Sequence, residues 1–419
     1  MIDYSKINTA QPMIMHIDLN SAFATTEQQA HPSLRGKPMG VTNRLSKECC
    51  VIAASYEAKA LGIKVGTRRS DAIAICPDFV MLESDAPKYH AVYEKLIKIM
   101  QDYSPKIKMK SIDEGVIDFH GLEPVLKGRT LEDVGYEIKQ RVRSDIGDWM
   151  RINVGIGPNR FLAKQAAGWH KPDGLDTLDY RNLRDYYASM ELTDLSGIAE
   201  RNQARLMSYG IRTPIQFLDA DEYTLKKRVF RSITGTYWYR RLHGYEIDDA
   251  DTHLGMVGRQ WVVRDPSGSD DYLLPCLSFL CETTGIKLRF RGVEARGICV
   301  WVSYRNGESW HGKRMHKTTF FTNQEIYRRA MELFNGRAPG DVTTLGIYCY
   351  MLTPSSRSQM NLFEDIAKKS WLCKAVDEIN DFYGTFTVYS AQTLNGKKVI
   401  KQKIPFGGTE YFDLLLKRA

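Results

Sequence analysis

The residues of this chain best placed to do chemistry are three acids: Asp18, Asp113 and Glu114. Asp113 and Glu114 are adjacent in "MKSIDEGVIDFH" (109–120), a stretch that otherwise reads as a β-strand. Adjacent carboxylates repel, and neighbours on a regular strand point to opposite faces. Acids are rare in sheet interiors unless they are paired or bind a metal. Hard divalent cations such as Mg²⁺ answer the repulsion, because they bind carboxylates together with substrate phosphates. Two such ions about 4 Å apart can organise an in-line attack at phosphorus. The conflict over side-chain direction then predicts a bulge or hairpin bend that turns both acids toward one site. Taken alone, the pair also fits solvated acids on a surface strand. Asp18 ends the apolar run "PMIMHIDL" (12–19), which reads as a buried strand delivering an acid at its end.

Cations stand where such a site could use them. "SYEAK" places Tyr56 and Lys59 on one helical face. "GPNRFLAKQAAGWHKPDG" places Arg160, Lys164 and Lys171 on or just after a helix. A triphosphate needs charge and hydrogen-bond donors of this kind. Each of these cations taken singly also fits a solvated helix face.

Further along, "LSGIAERNQARL" has the pattern of a helix-hairpin-helix, in which backbone N–H groups at a glycine turn hold a phosphate. A simple αα-hairpin is the alternative. Residues 256–358 carry 14 Lys and Arg against 9 Asp and Glu, an excess that suits a phosphate backbone. Lys287, Arg289 and Arg291 alternate there, which on a strand puts all three on one face. "QMNLF" (359–363) sets Leu362 and Phe363 behind Gln359 in a polar setting, a pattern that docks into a partner's pocket or packs as a satellite core contact.

The elements needed to position these groups can be read from periodicity and punctuation. Strands are expected at 12–19, around "KPMGVTN", at "MRINVGIG" and as a hairpin over "IKMKSIDEGVIDFHG". Helices are expected at "YEAKALGI" with a glycine stop, before Pro77, over 87–105, over "LEDVGYEIKQRVRSDIG" and from Pro158 onward. This βαβ-like alternation makes the first ~185 residues α/β or α+β. "DPSGSDD" (265–271) reads as a linker. Beyond it come a helix, a hairpin turning at Asn306–Gly307, a helix and a strand, then a tail of helix-then-strand character.

Bulk properties are permissive. The chain has 419 residues, 43% hydrophobic, with a formal charge of +8, which allows a nucleic-acid partner without requiring one. None of the eight cysteines forms a C-x-x-C pair, so they read as thiols in a reducing compartment. No apolar run approaches the ~18 residues of a membrane span, and the N-terminus lacks signal-peptide character. A soluble, cytoplasmic protein is expected.

The ordered motifs "HIDLNSAFA", "SYEAKALGIKVG", "SIDEGVID" and "GIGPNRFLAKQAAGWHKPDGL" resemble those of the Y-family DNA polymerases, the low-fidelity lesion-bypass class. Within it the chain is most similar to the UmuC-like branch, the catalytic subunit of DNA polymerase V. The resemblance spans nearly the whole chain and implies an α+β right hand. Its parts are a palm (1–30 and 85–182), fingers (31–84), a helical thumb (183–255), a linker (256–270), a little finger (271–355) and a tail (356–419).

The resemblance also implies roles. Asp18, Asp113 and Glu114, with the Leu19 carbonyl, match the ligands of two Mg²⁺ ions, for which Mn²⁺ can substitute. Phe23 matches the steric gate against ribonucleotides. Tyr56, Lys59 and Lys164 match triphosphate contacts. Ser196, Gly197, Ile198 and Ala199 match the thumb hairpin, while Lys287, Arg289 and Arg291 fall in the DNA-gripping little finger. Gln359, Leu362 and Phe363 match a sliding-clamp motif. The implied partners are primer-template DNA, dNTP and the clamp, together with UmuD-like subunits and a recombinase filament. The implied setting is SOS mutagenesis at the nucleoid.

Departures from the family pattern are Ala22, where a second aromatic is usual, Lys59 for arginine, "SGIA" for "PGIG", and Asn20 for an acid. A non-catalytic DNA- and clamp-binding factor and a template-independent palm nucleotidyltransferase are the competing readings.

Overall fold

The computed structural model describes residues 6–46, 49–126, 128–250, 254–357 and 366–400, which form two compact units divided at 250/251.

In the first unit, β1 (Ile14–Leu19) is almost wholly buried and passes into α1 (Ala22–Ala30) through Ser21, a left-handed residue at φ 48. A small layer follows: β2 (Met39–Thr42), β3 (Ala53–Ala54), α2 (Tyr56–Ala60), α3 (Arg69–Ile75) and β4 (Val80–Glu83), its sheet ordered β3-β2-β4. α2 starts at Ser55, whose hydroxyl accepts from the Ala58 N–H, a cap that fixes where Tyr56 and Lys59 stand. α4 (Ala86–Gln101) buries Tyr89, Tyr93, Leu96 and Met100 on one face.

The chain continues through β5 (Ile107–Met109), β6 (Glu114–Asp118), the short α5 (Glu123–Leu126), α6 (Leu131–Arg141), β7 (Ile152–Gly157), α7 (Arg160–Trp169) and β8 (Leu175–Thr177). The central sheet is ordered β5-β6-β1-β7-β8. Strand–helix alternation suggests parallel pairing, yet β1 is antiparallel to both β6 and β7, and only β7–β8 is parallel. The unit is therefore α+β. α7 is entered through Asn159, whose side chain accepts from Leu162 N–H, rather than through a proline cap. It lies very close to β7, because a Cβ at Gly155 would stand 2.1 Å from the Ala163 carbonyl oxygen. Only glycine permits that approach. The helices α8 (Leu183–Ala188), α9 (Glu200–Met207), α10 (Pro214–Asp219) and α11 (Thr234–Leu242) close over Tyr187, Phe217 and Trp238.

The second unit comprises β9 (Met256–Ser267), α12 (Asp270–Phe290), β10 (Val293–Tyr304), β11 (Ser309–Phe320), α13 (Asn323–Phe334), β12 (Val342–Pro354), α14 (Ile366–Tyr383) and α15 (Leu394–Val399). Its antiparallel sheet is ordered β11-β10-β12-β9. The β10–β11 hairpin turns at Asn306–Gly307, with Gly307 at φ 87. α12 and α13 share the core with residues of β10 and β12 such as Ile298, Val300 and Leu345.

Three expectations fail in this unit. The expected linker at 256–270 is an edge strand, paired with β12 from Met256 to Ser267. Its polar end leads into the next helix, with Asp270 and Asp271 in the first turn of α12, where acids suit the helix dipole. Lys287 and Arg289 lie on α12 and Arg291 caps it, so they form no strand row. The tail has its helix, α14, but among the described residues no strand follows: the amide of Asn380 takes both the N–H and the C=O of Val388. Phe386 instead stacks on Phe279 at 4.8 Å, inside the core. The motif residues Gln359, Leu362 and Phe363 lie outside the described residues.

Candidate active site

The site is assembled on β1. His16 and Asp18 share one face of the strand, and Asn20 follows at the same spacing. Asp18 is paired with Glu114 of β6 on one side and with Asn153 of β7 on the other.

The bend that the adjacent acids demand is present. The N–H groups of Lys110 and Ser111 both donate to the Glu114 carbonyl, at 2.9 and 3.2 Å, closing a tight hairpin. Asp113 falls in the turn and Glu114 begins β6. The Leu19 N–H donates to the Asp113 carbonyl at 2.8 Å, tying the turn to the end of β1.

Each acid has a different environment. Burial pushes the Asp113 carboxyl above the ordinary value, and the charges of Asp18 and Glu114 add to the rise, against a hydrogen bond from the Ser111 hydroxyl. Glu114 is held down at about 2, chiefly by the hydrogen bond from His16 and, against the cost of burial, by Lys164. His16 Nε2 stands 3.2 Å from one Glu114 oxygen, and Lys164 Nζ stands 2.7 and 3.0 Å from the two. Lys171 Nζ reaches Asp18 at 2.9 Å.

The loop that carries Lys171 is pinned on both sides. Asn20 accepts from the Asp173 N–H at 2.8 Å, and Asn153 donates to the His170 carbonyl at 3.1 Å. The two amides are joined to each other at 2.7 Å.

Beside the acids is a polar wall. Lys59 Nζ donates to Ser21 Oγ at 2.7 Å and lies 4.6 Å from the centre of the Tyr56 ring. Burial pushes the Tyr56 hydroxyl up to about 12, with the charge of Asp18 adding to it. Burial lowers Lys59, as does the charge of Lys171. Phe23 stacks on Tyr89 with ring centres 4.4 Å apart, so a second ring beside Phe23 comes from α4 rather than from position 22. Tyr89 is held in turn by Glu27 at 2.8 Å.

Of the expected residues, the structure thus gathers Asp18, Asp113, Glu114, Tyr56, Lys59, Lys164 and Phe23 in the first unit. Arg160 faces elsewhere, paired with Glu246 at 2.9 Å and Asp118 at 3.5 Å. His16 and the pair Asn20–Asn153 were missed as partners of the site. The spacing of His16 from Asp18 was the available signal, since alternate strand residues share a face. His16, Asp18 and Glu114 hold ligand-capable atoms within 4.8 Å of one another, a triangle to which Asp113 does not belong. The donors gathered here are mostly carboxylate oxygens, the set that hard divalent cations prefer, so the residues fit such ions.

The Ser196–Ala199 turn lies between a single 3₁₀ turn, Leu192–Asp194, and α9. Gly197 is at φ 97, and the Ser196 N–H donates to Gln165 at 3.0 Å. In the second unit, Arg289 is committed to Asp377 at 2.6 and 2.7 Å. Lys287 is different: burial and the charges of Arg259 and Arg291 lower it to about 8. Thr283, Lys287 and Arg291 follow at one-turn spacing on α12, and Arg259 of β9 reaches Thr283 at 3.5 Å. The row expected on a strand is therefore a cluster built from a helix and the edge strand, with Arg259 replacing Arg289.

Comparison with known proteins gives consistent results. The chain matches the impB/mucB/samB family over residues 17–168 and the family's C-terminal domain over 262–362. It is 30% identical over 400 residues to DNA polymerase IV of Moorella thermoacetica, covering 92% of this chain and 97% of that one. It is 26% identical to DNA polymerase IV 1 of Bacillus subtilis, covering 91% and 93%. Among solved structures it is similar to a Y-family DNA polymerase chimera of Dbh and Dpo4, with a TM-score of 0.69 at 21% identity, covering 81% of this chain and 99% of that one. These relatives carry the name DNA polymerase IV, so they lend no support to a UmuC-like branch. Among the described residues, no helix is long and apolar enough to cross a membrane.

Proposed function

Because the chain belongs to the impB/mucB/samB family of Y-family DNA polymerases, we propose that it extends a DNA primer on a template strand by two-metal nucleotidyl transfer, with lesion bypass as its task. One observation carries this reading: Asp18 and Glu114 face each other across β1 and β6, and the hairpin turn that bears Asp113 is tied through its carbonyl to the Leu19 N–H at the end of β1. Asp18, Asp113 and Glu114, with the Leu19 carbonyl, would hold Mg²⁺ or Mn²⁺, which when bound neutralises phosphate charge and acidifies the primer hydroxyl.

The chain's own groups do the rest. Tyr56 and Lys59 form a donor wall for the triphosphate, and Lys164 and Lys171 bring cations to the acids. Phe23, braced by Tyr89, limits the space at the sugar and so selects deoxyribose. The small layer of β2–β4, α2 and α3 corresponds to short fingers, which check a nascent pair loosely and admit damaged bases. The turn at Ser196–Ala199 would meet a strand's phosphates through backbone N–H groups other than those of Ser196 and Ile198, which donate to Gln165 and Leu195, and Arg259, Lys287 and Arg291 offer charge to the duplex.

Of the two branches, the relatives' names favour the DNA polymerase IV kind over the UmuC-like kind. Docking of "QMNLF" on a sliding clamp, contact with UmuD-like subunits or a recombinase filament, an SOS role and a cytoplasmic, nucleoid-associated location are parts of the proposal carried by the sequence motifs alone.

Primer extension with Mg²⁺ on undamaged and abasic templates tests it. Wild type extends both. Absence of extension by wild type, with or without clamp, sinks the reading in favour of a non-catalytic DNA-binding factor. Phe23→Ala should raise the ratio of rNTP to dNTP incorporation by about 10-fold or more, the scale of removing a steric contact worth over 1 kcal/mol. Replacing Leu362 and Phe363 by Ala should abolish clamp stimulation while leaving clamp-free extension unchanged.

A further inference from the structure

Asn20 and Asn153 place two amides where the chain otherwise buries apolar groups. Asn153 is fully buried and Asn20 is 2% exposed, while their neighbours Leu19, Ile152 and Val154 belong to the core. A buried amide destabilises unless its donors and acceptors are matched. Replacing both partners of such a pair by apolar groups is often neutral, so folding alone does not account for it.

The hydrogen bonds of the pair run in one direction. The Asp173 N–H donates to Asn20 Oδ1 at 2.8 Å, Asn20 Nδ2 donates to Asn153 Oδ1 at 2.7 Å, and Asn153 Nδ2 donates to the His170 carbonyl at 3.1 Å. The circuit starts and ends on one loop, and between its two ends lie only Lys171 and Pro172. Asp173 stands at φ 62, a left-handed conformation uncommon outside glycine, and Lys139 and Arg143 hold its carboxylate.

The side chain presented between the two clasped ends is Lys171, whose Nζ reaches Asp18 Oδ1 at 2.9 Å. Lys59, lowered first by burial, also feels the charge of Lys171. The ammonium of Lys171 therefore stands where the acids meet the wall of Tyr56 and Lys59. Neither amide can be replaced by its acid. With Asp at position 20, a carboxylate oxygen would face Asn153 Oδ1. Turning the Asn153 amide to donate there takes its N–H from His170, so one end of the loop is released either way.

We propose that Asn20 and Asn153 are positioning residues, whose clasp on residues 170–173 fixes the Lys171 ammonium between Asp18 and Lys59. Its use there, meeting the charge of an incoming triphosphate, rests on the polymerase reading; the clasp itself does not.

Two measurements on the full chain test this. The first is the rate at which an amine-reactive ester acylates Lys171, followed by mass spectrometry without DNA or nucleotide. Asn153→Ala and the isosteric Asn20→Asp should each raise that rate by about 5-fold, the scale of one lost hydrogen bond. Lys88, which is paired with Glu27, should keep its wild-type rate as proof of folding. Equal labelling of Lys171 in wild type and in whichever of the two variants folds overturns the proposal, whether or not the chain extends primers.

The second is a double-mutant cycle in single-turnover primer extension. Asn153→Ala and Lys171→Met should each raise the dNTP concentration at half-maximal rate by about 10-fold, with primer-template affinity unchanged. The double variant should lose no more than the worse single one. Losses that add overturn the proposal, because they assign the amides to the packing of β1 on β7. Wild type that extends no primer, with Lys171 released in both amide variants, upholds the clasp and removes the polymerase reading alone.

Discussion

Two charge clusters in this molecule are built on opposite plans. In the first unit, the acids already have partners: Glu114 has His16 and Lys164, Asp18 has Lys171, and Asp113 has Ser111. In the second unit, Lys287 lies between two arginines, and both charges that act on it are of its own sign. The first cluster is balanced at Asp18 and Glu114, with Asp113 alone held against burial and the charges of the other two, so most of it can be assembled before any ligand arrives. The second brings charges of one sign together around Lys287, so it stands to gain from an anion supplied from outside. A site that performs chemistry needs its geometry set in advance. A surface that grips a phosphate backbone gains instead from unspent charge.

The contrast can be broken hardest at the acids. Asp113→Ala removes one of the three acids and should lower primer extension by at least about 10³-fold, the scale of losing a catalytic electrostatic group. DNA affinity measured by anisotropy should change less than twofold, and full extension refutes the assignment. Lys164→Ala takes away the strongest cationic contact of Glu114. A loss of about 10- to 100-fold in kcat is expected from this change of positioning, again with DNA binding retained.

In the second unit the expected effects are smaller and run both ways. Lys287→Met should weaken DNA binding several-fold and reduce the salt slope by about one. The same change should raise the Tm of the DNA-free protein by about 2 °C, because it removes a buried like-charge contact. If stability falls instead, the cluster is balanced after all.

The smallest effect is one of pH. The folded pKa of Lys287, about 8, lies below the unfolded value, 10.5. The unfolded chain therefore binds more protons between these values, and stability rises with pH across that window. Denaturation midpoints of wild type and Lys287→Met should differ most below pH 8 and converge as the pH approaches 10.5.

Much of the acid site was legible, because acids inside apolar strands violate a strong rule and so announce themselves. The bend at Ser111–Asp113 followed from strand alternation alone. What escaped was decided by context. "IKLRFR" (286–291) alternates apolar and basic residues, which is the period of a strand, but it ends a 21-residue helix whose middle is buried from Cys276 to Gly285. The helix was already paid for upstream of the ambiguous run. β9 was hidden by the Asp, Pro, Gly and Ser that follow its apolar part, since an edge strand tolerates such residues. The tail's strand failed because one side chain, Asn380, satisfied the backbone groups that a ladder would have used.

β1 has a last consequence, for length rather than composition. His16, Asp18 and Asn20 contribute an imidazole, a carboxylate and an amide from alternate positions of one segment, while Ile17 and Leu19 go to the core. A point substitution disturbs one of these contacts. Inserting or deleting a single residue within the strand exchanges the two sets, sending Ile17 and Leu19 to the site and the polar groups into the core. No half-shifted arrangement lies between them. Lineages of this chain can thus vary the chemistry of the site gradually but cannot edit the length of the strand that carries it.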